Sequence, residues 1–158
     1  MKIKSLLAPL LLLAAGCAWA DAPFTVSSDG QEVTDGKTGL IWRRCAEGMT
    51  ATGGSCTGIA SSFTHESALV RAREQAASTS VAWRLPNVKE LVSIADRSKI
   101  NPAIDTAAFP DTPANAFWSS SPYVENAYLA WFVYFSDGLV NNNFRDVSYY
   151  VRLVRAGQ

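Results

Sequence analysis

Residues 83–91 read Trp83-Arg84-Leu85-Pro86-Asn87-Val88-Lys89-Glu90-Leu91. Asn87 is a residue type that caps helices, and Glu90 follows it three positions later, so the pair predicts a capping box. Pro86, just before the cap, is placed to pack on Leu91 as a hydrophobic staple. Apolar residues then recur at helical spacing, at Val88, Leu91, Val92 and Ala95. The stretch therefore predicts a helix over residues 88–96.

An earlier helix is predicted from Thr64 to about Ala77. Thr64 is a favourable N-cap residue, and the acidic Glu66 in the first turn complements the helix dipole. The helical spacing predicts a buried stripe of Leu69, Ala72 and Ala76. It places Arg71, Arg73 and Glu74 on the solvent side.

Strand patterns lie on both sides of these helices. Residues 24–33 predict an edge strand, and residues 33–42 predict two strands joined by a glycine turn. Residues 131–136 and 139–144 flank Asp137-Gly138, a dipeptide typical of a type I′ hairpin turn. Alternation predicts a shared buried face for Trp131, Val133 and Phe135.

The remaining segments complete the fold prediction. Residues 101–116 carry three prolines and no periodicity, which predicts an ordered loop. Residues 150–155 predict a last strand. Two early helices followed by antiparallel strands predict an α+β single domain, with the helices packed on an antiparallel sheet that ends in a C-terminal hairpin and a final strand.

The composition is that of one globular domain. A chain of 158 residues that is 48% hydrophobic and 18% charged is not a disordered protein. Fourteen basic residues balance fourteen acidic ones, so the net charge gives no argument for nucleic-acid binding. Downstream of residue 20 no stretch is long and apolar enough to cross a bilayer.

Residues 1–20 predict an export signal peptide. Lys2 and Lys4 supply its positive start, residues 6–15 its apolar run, and Ala18-Trp19-Ala20 the small residues that signal peptidase reads. The alternative is a lipobox ending at Cys17, in which lipidation of that cysteine would anchor the protein to a membrane. Without the two lysines, twelve basic side chains face fourteen acidic ones, a net charge of −2. The predicted destination is the periplasm, the cell surface or the medium.

Two cysteines remain after that segment. Cys45 and Cys56 flank the Gly-rich loop 46–55, and in an oxidising compartment they predict one disulfide. The alternative is a reactive or metal-binding pair. The spacing is not Cys-x-x-Cys, and the one histidine of the sequence is His65, so neither zinc nor redox chemistry is favoured. No metal or cofactor is predicted.

A series of motifs resembles one known family. The motifs are residues 33–35 with 38–42, residues 83–91, Phe117-Trp118-Ser119-Ser120-Ser121, Ala130-Trp131 with Phe135-Ser136-Asp137-Gly138, and Val151-Arg152-Leu153-Val154-Arg155. Over about residues 30–158 the sequence is similar to the C-terminal domain of the Legionella collagen-like (Lcl) adhesin. We take the domain to span residues 24–158.

The resemblance implies a C-type-lectin-like fold, related to formylglycine-generating enzymes whose Arg-Leu-Pro motif is similar to residues 84–86. In the namesake adhesin the domain is linked to host surfaces and sulfated glycans, which implies a ligand-binding or adhesion module. The related enzymes use two cysteines late in the domain, whereas no cysteine follows Cys56 here. No histidine follows His65 to complete a catalytic triad. The sugar-binding triplets of calcium-dependent lectins are absent from the sequence, and we expect a protein that is not an enzyme.

The tryptophans and arginines of these motifs have a structural interpretation. Trp42, Trp83, Trp118 and Trp131 lie in strand-like or motif segments, which favours core packing. Arg84, Arg152 and Arg155 are expected to satisfy buried carbonyl and carboxylate groups.

Residue usage predicts a binding surface late in the sequence. All five tyrosines lie in residues 123–150, among asparagines and serines, a combination typical of antibody-like binding surfaces. Asparagine is depleted in strands, yet three stand at positions 141–143. The predicted ligand-binding residues are Tyr134, Asn141, Asn143, Phe144, Arg145, Asp146, Ser148 and Tyr149. The expected partner is a protein or glycan on a cell surface; the alternative is a solvated loop without a ligand.

A finer hypothesis concerns residues 140–149. Some relatives are targets of diversity-generating retroelements, which mutate adenines in asparagine codons. Residues 134–150 contain no Lys, Glu, Gln, Met or Trp, the types that adenine mutation of an AAC codon cannot produce. The sequence thus predicts an exported, non-catalytic binding or adhesion module whose surface is genetically variable. The rivals are an enzyme related to the formylglycine-generating type and a structural envelope protein; the oligomeric state is not predicted.

Overall fold

A computed structural model describes residues 23–157. The predicted signal peptide and the lipobox with Cys17 lie outside the described residues. The elements are β1 Phe24–Val26, β2 Glu32–Asp35, β3 Leu40–Arg43, β4 Met49–Thr52, β5 Ser55–Gly58, β6 Ser62–Phe63, α1 His65–Thr79, α2 Val88–Ser93, β7 Ala116–Pro122, β8 Leu129–Tyr134, β9 Leu139–Phe144, β10 Tyr149–Tyr150 and β11 Val154–Ala156. The α+β class is confirmed.

Three sheets organise these strands. One has four strands in the order β1-β2-β3-β11, one has five in the order β6-β10-β7-β8-β9, and β4 with β5 forms a small hairpin. The β2–β3 pair is the predicted strand–turn–strand unit, with Val33 opposite Trp42. Each described pair of strands is antiparallel except β10 beside β7. Of the described helices, none is both long and apolar enough to span a membrane.

Helix α1 begins as predicted and buries a different stripe. The Thr64 side chain accepts a hydrogen bond from the Ser67 N–H, and the helix ends at Thr79, two residues later than expected. Its buried residues are His65, Ala68 and Ala72. The predicted Leu69 and Ala76 are half-buried, so that part of the stripe was wrong. The buried face lies about one residue away from the one that the apolar spacing suggested, and the helix contacts β7 and β6.

Helix α2 carries the predicted capping box. The Asn87 side chain accepts from the Glu90 N–H at 2.9 Å, and the Glu90 carboxylate accepts from the Asn87 N–H at 2.8 Å. Glu90 also bonds Arg84 at 2.7 Å. The helix ends at Ser93, three residues before the predicted end, since the chain turns there to bury Ile94 beside Leu91.

The five-stranded sheet is covered on both faces. Ala130 and Phe132 of β8 pack in a cluster with α1, whereas Val133 and the following Phe135 pack in a cluster with α2. The prediction of one buried parity, shared by Trp131, Val133 and Phe135, was therefore incomplete. Trp131 itself is half-buried. A central strand between two layers buries side chains of both parities.

The hairpin turn is not of type I′. Tyr134 pairs with Leu139, which leaves a loop of four residues, Phe135–Gly138. Within that loop Gly138 alone has a positive φ, of 75°, whereas a type I′ turn needs two such residues. A Cβ at Gly138 would lie 2.8 Å from Cγ of Arg97, so this position also needs glycine for space.

The predicted last strand over residues 150–155 is also corrected. Its start belongs to β10, which pairs with β6 and β7, and its end belongs to β11, which pairs with β3. Between them Val151, Arg152 and Leu153 are wholly buried as the chain passes from one sheet to the other. A tract of apolar residues that crosses between two sheets has the same pattern as one buried strand.

The cysteine and loop predictions are confirmed. Cys45 and Cys56 form a disulfide that closes the β4–β5 hairpin, which indicates an oxidising compartment. Residues 101–115 hold no helix or strand beyond an isolated bridge at Ile104, and the loop buries Ile104 and Phe109 in the core.

Candidate functional site

A groove of about 700 Å³ opens beside the first turn of α1. The helix side contributes Thr64, His65, Glu66 and Leu69. The opposite side comes from the β7–β8 connection and from the residues that end β9, namely Ala127, Tyr128, Phe144, Arg145 and Asp146. The groove forms where the β8–β9 hairpin meets the start of the helix.

Two exposed aromatic rings stand at this groove. Tyr128 is 76% exposed and Phe144 is 56% exposed. The residue after Tyr128, Leu129, pairs with Phe144 across the β8–β9 ladder, which fixes the two positions relative to each other. Apolar rings beside a few polar groups are the usual lining of a site for a small organic ligand.

The charged groups of the groove are mainly acidic. The Glu66 and Asp146 side chains are exposed. Arg145 is half-buried, and its Nε donates to the Leu129 carbonyl at 3.2 Å. With two carboxylates and one partly engaged guanidinium, the groove offers mostly hydrogen-bond acceptors.

His65 forms the floor of the groove and holds its two sides together. Its backbone N–H donates to the Arg145 carbonyl at 2.9 Å, which ties the β9–β10 loop to the helix start. Its ring Nε2 lies 3.0 Å from the Ser119 carbonyl, an acceptor, so Nε2 carries the proton. Nδ1 is buried and has no partner among the described residues. Burial lowers the pKa of His65 because the cation would lose its water, so the ring is neutral at pH 7.

The aromatic packing under the groove is extensive. The His65 ring meets Trp118 edge-on at 5.4 Å. Tyr149 lies 4.7 Å from Trp118 and 4.8 Å from Phe132, measured between ring centres. These contacts give the floor a rigid support and make Tyr149 largely a packing residue.

Of the eight predicted ligand-binding residues, some line the groove and others lie outside it. Phe144, Arg145 and Asp146 line the groove. Ser148 is exposed in the following loop but does not line the groove. Tyr149 is half-buried, and its hydroxyl accepts from the Asn143 side chain at 2.7 Å.

The other three predicted residues lie along β8 and β9. Asn141 is opposite Phe132 and Asn143 is opposite Ala130, so both share a face with Tyr134. Phe144 is opposite Leu129 and points to the other face. The eight residues therefore do not form one continuous surface.

Several groove residues were not predicted from the sequence. The sequence predicts that Glu66 complements the helix dipole and that Leu69 lies in the core, and it gives His65 no ligand-binding role. Tyr128 is one of the five tyrosines of the segment 123–150, but it is not among the eight predicted ligand-binding residues. The exposed turn that contains Tyr128 could have indicated it, since an aromatic residue in a polar hairpin loop is a common binding element.

A second, more polar pocket of about 250 Å³ lies beside the disulfide hairpin. The buried Glu47 carboxylate accepts from Arg71 Nε at 2.8 Å there, and Arg43 stacks on Trp83 at 4.5 Å. Glu47 and Arg71 are thus paired with each other, whereas Arg43 contacts an aromatic ring. Across residues 23–157 no group of three His, Cys, Asp or Glu side chains could hold a metal ion.

Comparison with known proteins identifies a family. The family model described as the Lcl C-terminal domain matches residues 31–155. No curated protein and no solved structure matches the chain.

Proposed function

The chain belongs to the Lcl C-terminal domain family, and from this premise we propose that it is an exported, non-catalytic binding module whose ligand occupies the groove beside α1. The observation that carries the proposal is the pair of exposed rings, Tyr128 and Phe144, at one concavity. Single exposed apolar residues are ordinary, but two aromatic rings at one groove form an apolar patch of the kind that marks binding sites.

The ligand class follows from the lining. The flat faces of the rings suit the apolar C–H face of a sugar, and the carboxylates of Glu66 and Asp146 accept hydrogen bonds from hydroxyl groups. The same carboxylates repel sulfate groups. We therefore assign an uncharged glycan on a cell surface as the ligand, in contrast to the sulfated glycans that the family resemblance implies.

The C-type-lectin-like fold and the export route belong to the same proposal. Two helices on opposite faces of a mainly antiparallel sheet, with a disulfide hairpin beside them, are compatible with a lectin-like domain. The Cys45–Cys56 disulfide suits a protein that leaves the cytoplasm. The N-terminal sequence supports export to the periplasm, the cell surface or the medium.

Genetic variation of residues 140–149 is the most specific part of the proposal. Phe144, Arg145 and Asp146 line the groove, so changes there would alter the ligand contacts directly. A near-copy of this coding segment beside a reverse-transcriptase gene in the neighbouring DNA would support it. If the neighbouring DNA contains no such copy, the binding surface is not diversified and the proposal is limited to a module with one fixed ligand.

Binding of arrayed glycans, followed by calorimetry on the best neutral hit, tests the groove. Tyr128→Ala and Phe144→Ala should each weaken binding by about thirtyfold, the loss expected at a hot spot of about 2 kcal/mol. Ile100→Ala is the matched control, because Ile100 is an equally exposed apolar residue outside the groove. It should bind as the wild type does.

Two further variants test the ligand class. Glu66→Gln and Asp146→Asn should weaken binding of the neutral glycan and leave sulfated glycans unbound. Tight binding of a sulfated glycan by the wild type would contradict the assignment. Unchanged affinity in both aromatic variants would remove the groove as the site.

A further inference from the structure

Strand β9 forms an unpaired edge of the five-stranded sheet. Its six residues, Leu139–Phe144, include no charged residue and no proline. Natural proteins usually protect such an edge with charges, prolines, bulges or covering loops, because its free N–H and C=O groups can pair with another strand. Neither charges nor prolines protect the edge of β9.

The outward backbone groups of β9 can be identified from its ladder. The Leu129 carbonyl accepts from the Tyr123 N–H, on the β7 side of β8, so Leu129 and its partner Phe144 do not exchange backbone bonds. In an antiparallel ladder these positions alternate. Val140, Asn142 and Phe144 therefore direct their backbone groups away from β8.

Two asparagine side chains occupy two of these three outward donors. The Asn141 Oδ1 accepts from the Asn142 N–H at 2.8 Å, and the Asn143 Oδ1 accepts from the Phe144 N–H at 2.8 Å. Asn143 is held in this position from its other end, since its Nδ2 donates to the Tyr149 hydroxyl. The same cap thus occurs twice, two residues apart, on the outer edge.

We propose that Asn141 and Asn143 close the β9 edge, and that the partner they exclude is a second copy of this chain. Both asparagines were predicted as ligand contacts because asparagine is depleted in strands. The two caps give a different reason for asparagine at these positions, because a short amide side chain reaches the next N–H and an aliphatic strand residue cannot.

A second copy fits the edge because the strand is complementary to itself. An antiparallel pair centred on Asn142 sets Val140 opposite Phe144 of the partner subunit, and each Asn142 opposite its equivalent. The groups that meet are the outward ones, as a hydrogen-bonded ladder requires, and the Phe144 carbonyl must first release the Val147 N–H from which it accepts at 3.1 Å. Val140 and Phe144 are 41% and 56% exposed, so pairing would cover apolar surface, and no like charges within the strand would oppose each other.

Sedimentation equilibrium of the folded protein, from micromolar to millimolar concentration, tests the proposal. The double variant Asn141→Ala with Asn143→Ala should dimerise with a dissociation constant lowered about tenfold or more relative to the wild type. Asn142→Ala is the matched control, because its side chain caps no outward donor. It should stay monomeric like the wild type.

The pairing site is tested by adding Val140→Lys to the double variant. A charge opposite Phe144 of the partner subunit, at both ends of the new ladder, should restore the monomer. If the double variant folds poorly by circular dichroism, Asn141→Ala alone carries the test, because Asn141 does not bond Tyr149. A monomeric double variant, a wild-type dimer, or a dimer that survives Val140→Lys would each overturn the proposal.

Discussion

Replacement of Arg152 by methionine should destabilise the domain strongly. Arg152 is fully buried, and among residues 23–157 it forms no ion pair with a carboxylate. Its Nη1 donates to the carbonyls of Arg43 and Arg44, and its Nη2 donates to the Thr112 hydroxyl at 2.7 Å. Burial lowers its pKa to about 9, which still leaves it a cation at pH 7.

The magnitude follows from the groups left behind. Methionine fills similar volume and removes the cost of a buried charge, but two carbonyls and a hydroxyl lose their donor. At about 1 kcal/mol or more for each unsatisfied buried group, we expect a loss of roughly 3 kcal/mol. Arg152→Lys keeps the buried charge and cannot reach both the β3 end and Thr112, so it should cost about 3–5 kcal/mol.

Urea denaturation followed by tryptophan fluorescence gives the free energy of unfolding for each variant. The control is Arg73→Met, an exposed arginine on α1 that should change stability by less than about 0.5 kcal/mol. A total stability of about 5–15 kcal/mol leaves the expected losses easy to resolve. If Arg152→Met proves as stable as the wild type, the guanidinium is not what joins these segments.

Three further predictions concern separate parts of the fold. Leu91→Ala should cost about 2–5 kcal/mol in urea denaturation because it leaves a cavity, and Asn87→Ala about 1 kcal/mol for the lost cap; a silent Leu91→Ala would contradict its core position. Reduction of Cys45–Cys56 should lower stability by roughly 2–3 kcal/mol, and mass spectrometry should find no free thiol in the oxidised protein. The folded-state pKa of His65 lies below its ordinary value of 6.5, so as pH falls below 6.5 the unfolded chain gains a proton that the folded one resists. Stability should therefore fall with pH, by at most about 1.4 kcal/mol per pH unit from this group; His65→Gln should remove that slope between pH 7.5 and 5.5, and an unchanged slope would refute the assignment.

The elements that the sequence predicted well are those that depend on contacts between residues close together in the chain. Thr64 bonds an N–H three residues later, and Asn87 with Glu90 closes a box within four residues. These contacts need no knowledge of the rest of the chain. The glycine turn between β2 and β3 is local in the same way.

The predictions that were wrong concern segments whose structure depends on packing between distant elements. The Asp137-Gly138 dipeptide suggested a two-residue turn, but Phe135 is drawn into the core and lengthens the loop. Residues 150–155 have the sequence pattern of one strand because apolar side chains are buried along the whole segment. Which sheet each residue joins is decided by partners that are distant in the sequence, from Phe117, 33 positions before Tyr150, to Trp42, 112 positions before Val154.

The site was partly predictable for the same reason. Phe144, Arg145 and Asp146 were found from the composition of one segment, because they are neighbours in sequence. Glu66 and Tyr128 reach the groove only when the β8–β9 hairpin docks beside the first turn of α1. Composition could not separate Asn141 and Asn143, which cap the strand edge, from residues that face the groove.

The passage of residues 149–156 between the two larger sheets affects the order in which the protein can fold. Strand β6 joins the five-stranded sheet only through β10, and Arg152 reaches the carbonyl of Arg44, 108 positions earlier. Contacts of such separation are slow to form, because a long loop must close before they contribute. A growing chain that still lacks this segment has no finished sheet to protect it. It stays accessible to chaperones and proteases until synthesis reaches these residues.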